Sequence, residues 1–96
     1  MSLFIRLANL TEQGSRQTKE LGTLLAHAKQ VMEANGARII QAYATLGRYD
    51  LVALVEAPDA QTMAKVSALI AAQGNFKAET LPAISIPEFV QSVQGK

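Results

Sequence analysis

Ninety-six residues with a net charge of +1, 49% hydrophobic but only 5% aromatic, suffice for one small domain, residues 1–96, with an aliphatic, alanine-rich core. Nine basic against eight acidic residues, with no two basic residues adjacent, exclude the charged footprint of a nucleic-acid binder. The absence of cysteine excludes a disulfide framework, a thiolate zinc site and a thiol nucleophile.

Such a composition suits close-packed helices and strands better than a roomy cavity inside one chain. The opening stretch "MSLFIRLANL" is apolar but is interrupted by Arg6 and Asn9. It has no basic leader and is too short to be a signal or a membrane span, so a cytoplasmic protein with no membrane partner is expected.

Leu3 to Asn9 alternates as a half-buried strand does. Leu3, Ile5 and Leu7 are assigned to the helix side, and Phe4, Arg6 and Ala8 to the other. "TEQGSRQTKE" breaks the pattern as a loop. A helix then follows from about Ser15 or Gln17, with Leu21, Leu24, Leu25, Ala28, Val31 and Met32 on one stripe. Asn35-Gly36 ends it, glycine taking a left-handed backbone without steric cost.

Ala37 to Leu46 and Leu51 to Glu56 read as a hairpin. With Arg48 and Tyr49 as the two turn residues, Leu46 faces Leu51 and Gly47 faces Asp50. Ile40, Ala42, Ala44 and Leu46 then share a face with Leu51, Ala53 and Val55. Gln41, Tyr43 and Thr45 share the other with Val52, Leu54 and Glu56.

Pro58 stops the strand and Asp59 is suited to cap the next helix, whose buried stripe is Met63, Val66, Ser67 and Ile70. That helix ends near Gly74-Asn75. Phe76 to Ile84 is a fourth strand, kept to an edge by Pro82. "SIPEFVQSVQ" is a short closing helix, and its Phe89, Val90 and Val93 are expected to cover the edge of the sheet, with docking on another protein as the alternative.

Strand, helix, strand, strand, helix, strand is the order of an α+β, ferredoxin-like βαββαβ sandwich: a four-stranded antiparallel sheet with two helices on one face. Its first and third strands lie in the middle. The other face, expected to carry Phe4, Ala8, Tyr43, Val52 and Leu54 among Arg6, Gln41, Thr45 and Glu56, has the mixture of a protein interface. Two copies are expected to stack there as a dimeric α/β barrel, a homodimer or larger symmetric assembly.

His27, the single histidine, lies off the apolar stripe with no carboxylate held beside it, and no metal-ligand spacing, phosphate loop or serine elbow is present. No cofactor is expected. The remaining polar constellation is Arg6, Tyr43, Thr45, Tyr49, Asp50 and Glu56, a candidate ligand-binding set for a small organic molecule. Each has a plainer role as well: Tyr43 packing in an interface, Arg6 pairing with Glu56 or with a second copy, Asp50 closing the turn. Gly47 and Asp50 suit a tight turn, but Arg48 and Tyr49 do not suit the positive φ of its commonest form, which points Tyr49 toward a partner or ligand.

"TLGRYDLVALVEAPD" resembles the signature of the GYD domain family. Thr11, Gln13, Gly14, Gly36, Tyr43, Thr45, Gly47, Tyr49 and Asp50 carry the resemblance, with Glu56 to Asp59, Gly74-Asn75 and "TLPA" at Thr80 to Ala83. Pro82 and Ile84 depart from the family pattern, which commonly has an arginine and an aromatic there. The resemblance implies a ferredoxin-like fold that associates through its sheet, and assigns no catalytic residues. The carboxyl-terminal half is also similar to the effector-sensing domains of leucine-responsive regulators, without their helix-turn-helix. Three functional readings follow: a small-ligand-binding or interaction module, a cofactor-free monooxygenase or isomerase of the dimeric α/β barrel class, and a structural subunit docking on another protein.

Overall fold

β1 (Ser2–Leu10) runs through the interior of a four-stranded sheet ordered β2-β3-β1-β4, where β2 is Arg38–Ala44, β3 Leu51–Ala57 and β4 Phe76–Ala83. All three neighbouring pairs are antiparallel, so the expected ferredoxin-like order holds, with the first and third strands inside. This computed structural model describes residues 1–95. No helix among them is long and apolar enough to cross a membrane.

The stretch after β1, expected as a loop, contains a one-turn helix α1 (Glu12–Ser15) and a 3-10 turn at Thr18–Glu20. Thr11 caps α1 by accepting from Gly14 N–H at 3.0 Å. The long helix α2 (Leu21–Ala34) therefore begins at the first residue of its apolar stripe, later than the expected start at about Ser15 or Gln17. α3 (Ala60–Ala71) starts where expected, Asp59 Oδ1 accepting from Thr62 N–H at 2.8 Å. The core lies between these two helices and the sheet: Met32 from α2, Met63, Val66 and Ile70 from α3, and Phe4 and Val55 from the strands.

Opposed residues of an antiparallel ladder share a face, so the register gives three rows on each side. Toward the helices lie Ile39–Val55–Phe4–Pro82, Ala42–Ala53–Arg6–Thr80 and Ala44–Leu51–Ala8–Ala78. Away from them lie Arg38–Glu56–Leu3–Ala83, Gln41–Leu54–Ile5–Leu81 and Tyr43–Val52–Leu7–Glu79. This reverses the expectation for β1. Phe4, Arg6 and Ala8 are buried beneath the helices, and Leu3, Ile5 and Leu7 occupy the open face.

The hairpin also differs from its expected register. Ala44, not Leu46, faces Leu51, and Thr45 N–H donates to Asp50 O at 2.8 Å. Leu46 to Tyr49 thus form a wider loop with Leu46 fully exposed and Gly47 at a positive φ of 100°. A shift of two residues leaves the faces of the paired residues unchanged. Ile40 is the exception: the ladder slips between Ile39 and Gln41, so Ile39 faces the helices and Ile40 stands exposed.

α4 (Ile86–Gln94) starts at a Ser85 cap and makes no extensive contact with another element. Ile86, Phe89, Val90 and Val93, one helical stripe, are 71%, 51%, 41% and 65% exposed and do not cover the sheet edge. The radius of gyration, 14.5 Å, exceeds the roughly 12.5 Å of a compact chain of this length.

Candidate functional site

The residues around the hairpin turn are held inward by hydrogen bonds. Asp50 Oδ2 accepts from Leu10 N–H at 2.9 Å, and Asp50 N–H is shared between Ala8 O at 3.0 Å and Asn9 Oδ1 at 2.9 Å. Thr45 Oγ1 donates to Tyr49 O at 2.6 Å. Tyr49 reaches across β1 and donates its phenol hydrogen to Glu79 Oε1 on β4, at 2.9 Å. The turn thus ties β3 to β1 and β4. Gly47 takes positive φ without steric cost, and the two-residue turn that would set Arg48 and Tyr49 at its centre is not formed.

A second latch lies at the same end of the sheet. Thr11 Oγ1 donates to Gly74 O at 2.6 Å, and Thr11 N–H to Asn75 O at 3.1 Å. Gln13 and Gln17 both donate to Asn75 Oδ1, each at 3.0 Å. Gly14 is required by this approach, because a Cβ there would stand in hard contact with the Asn75 carbonyl.

Of the six residues expected to form a ligand site, Thr45, Tyr49 and Asp50 gather at this turn, and Tyr43 and Glu56 lie on the open face. Glu56 pairs with Arg38, whose Nη2 lies 2.8 Å from Oε1. Arg6 is on the other side of the sheet, so it neither joins this set nor meets Glu56. It is 6% exposed and donates from Nη1 to Ser67 Oγ on α3 at 3.2 Å. Burial lowers the pKa of its guanidinium from the ordinary value, yet the group remains a cation at neutral pH.

The open face has a half-buried apolar centre of Leu3, Ile5, Leu7, Val52 and Leu54. Leu81 and Tyr43 extend it, 39% and 58% exposed, and its margin holds Gln41, Glu79 and the Arg38–Glu56 pair. Apolar centre and polar margin are the anatomy of a protein interface. The expectation for β1 misses it by placing Arg6 on the surface. Alternation within β1 gives no signal for it, since the more apolar side of a strand ordinarily marks the core.

Comparison with known proteins agrees with this architecture. The family model described as "GYD domain" matches residues 4–93. The chain belongs to the GYD domain family. A relative from Thermus thermophilus, named glutamine synthetase and cystathionine beta-lyase binding protein, is 35% identical over 97 residues, covering 94% of this chain and 96% of the relative. Among solved structures, an FFRP protein superposes with a TM-score of 0.59 at 21% identity, over 88% of this chain and 100% of that one. A second Thermus thermophilus protein gives 0.57 at 22% identity, over 88% and 95%. These two likenesses show the shared fold. Several residues that resembled the GYD signature now have a physical role: Thr11, Gln13, Gly14 and Asn75 form one latch, and Thr45, Tyr49 and Asp50 the other.

Proposed function

We propose that this GYD domain is an interaction module, a symmetric assembly built by stacking open sheet faces, which in turn binds a partner protein. The observation that carries the reading is the orientation of β1. This interior strand turns Leu3, Ile5 and Leu7 away from the helices and buries Phe4, Arg6 and Ala8 beneath them. In an isolated chain the hydrophobic effect favours the reverse, since each Leu or Ile moved fully out of water contributes about 1.5–3 kcal/mol. Once a second sheet packs at about 10 Å over the first, both sides of β1 are interior and the conflict disappears. Tyr43 and Glu56, from the expected ligand set, then supply polar contacts at the margin.

Stacked sheets leave α4 for another protein. Its exposed stripe has the i, i+3, i+4, i+7 spacing with which a helix enters an apolar groove. The relative's name supports a protein partner, and glutamine synthetase and cystathionine beta-lyase are the first two to test. The immobilised chain is expected to retain one of them from solution, and Phe89→Asp combined with Val93→Asp to lose it while keeping the assembly's mass. Retention unchanged in that variant removes α4 from the reading. Retention of neither enzyme removes the partner class.

A further inference from the structure

On the helix side of the sheet, away from the proposed interface, a pocket of about 600 Å³ separates α2 from the β2–β3 hairpin. It exists because facing positions are small: Ala42, Ala44 and Ala53 on the strands, Gly22 and Ala26 on the helix. The alanine-rich composition has opened a cavity here, contrary to the close packing expected of it. The volume falls within the range of ordinary small-molecule sites.

The pocket wall carries two charges, Arg6 and Lys29, and no carboxylate. Arg6 is nine-tenths buried, yet neither ion pair among the described residues includes it. Its guanidinium has five N–H donors, and among the described residues it makes one hydrogen bond, from Nη1 to Ser67. No buried side-chain polar atom among the described residues is both sealed from solvent and unpaired, and Arg6 is among the residues that line the pocket. A cation withdrawn from water without an anion is an unfavourable arrangement, and a ligand anion relieves it.

We infer that this pocket binds a small monocarboxylate with an apolar body, its carboxylate received by Arg6 between α2 and the sheet. The planar guanidinium fork matches a carboxylate's two oxygens. One buried cation balances one negative charge, whereas a phosphate dianion would have to draw on the exposed Lys29 for its second. Leu25, Ile39 and Leu51 on the wall suit an aliphatic or aromatic body. Lys29 adds a second positive charge that favours the approach of an anion. The inference stands independently of the protein-binding reading, because it uses the opposite side of the sheet.

The test is titration of the whole chain with hexanoate, octanoate and 4-phenylbutyrate, each beside its primary amide, followed by calorimetry and by the NMR methyl signals of Leu25 and Ile39. At least one carboxylate is expected to bind about tenfold or more tightly than its amide, as a charge-assisted hydrogen bond implies, and to shift those methyls. Arg6→Met is expected to abolish the preference while leaving amide binding, and Arg6→Lys to retain part of it. Ala26→Phe, at an exposed helix position, fills the pocket and is expected to abolish both. Equal affinity for acid and amide overturns the inference. So does binding that survives Ala26→Phe, or no binding of any probe.

Discussion

Replacing Arg6 by methionine is expected to stabilise the ligand-free protein. With Arg6 at 6% exposure, folding withdraws its charge from water, at an effective cost of several kcal/mol. The structure returns one hydrogen bond to Ser67 Oγ at 3.2 Å, worth about 1.5–3 kcal/mol when one partner is charged. Methionine keeps the apolar stem among Ala53, Thr80 and the overlying helix and removes the charge. Ser67 is left with Thr80, whose Oγ1 lies 3.4 Å away, so no hydroxyl is stranded. The net gain is about 1–3 kcal/mol, within the range seen when apolar side chains replace buried charges. For a domain of this size that raises Tm by about 5–15 °C. Urea denaturation at fixed protein concentration and without carboxylate buffer measures it directly, with the m-value checking that the same surface is exposed. A loss of about 1 kcal/mol or more, a tenth or more of a typical domain's stability, would show the guanidinium to be compensated within the chain, refuting the unpaired-cation argument.

Three further outcomes are expected. Gly14→Ala drives a methyl against the Asn75 carbonyl and is expected to destabilise by about 1–3 kcal/mol, the usual cost of overpacking; an unchanged Tm means the latch moves freely. Ile5→Lys, in the middle row of the open face between Leu54 and Leu81, is expected to yield a folded monomer by light scattering and circular dichroism, and a persisting assembly places the interface elsewhere. The Asp59 carboxyl is held below its ordinary pKa of 3.8 by the hydrogen bonds from Thr62, so its contribution is present above that value and lost as pH falls through the lower folded one. Asp59→Asn keeps a capping oxygen and is expected to flatten that part of the acid unfolding curve; an unaltered curve between about pH 2 and 5 assigns the acid sensitivity to other carboxylates.

Period-two alternation, the Asn35-Gly36 stop and the Asp59 cap make the element order legible without coordinates, because each is a local signal. The start of α2 is not legible in the same way, because the Thr11 cap before it depends on Gly74 and Asn75, more than sixty residues away. The hairpin register differs by two residues for a similar reason. Asp50 bonds to Leu10, Asn9 and Ala8 rather than closing a two-residue turn. Facing within β1 is the largest difference, since periodicity separates two sides of a strand without saying which is inward. A charged residue in one set and three large aliphatics in the other point the wrong way, because the aliphatic side awaits a partner and the arginine lies against α3. The pocket is invisible to composition: alanines read equally as close packing or as space.

The orientation of β1 is best tested by the molar mass of the purified chain at sedimentation equilibrium, across the micromolar range. A mass of two or more times 10.3 kDa, lost in Ile5→Lys, is the expected result. A mass of one chain across that range would mean that Leu3, Ile5 and Leu7 face water, contradicting the proposed assembly.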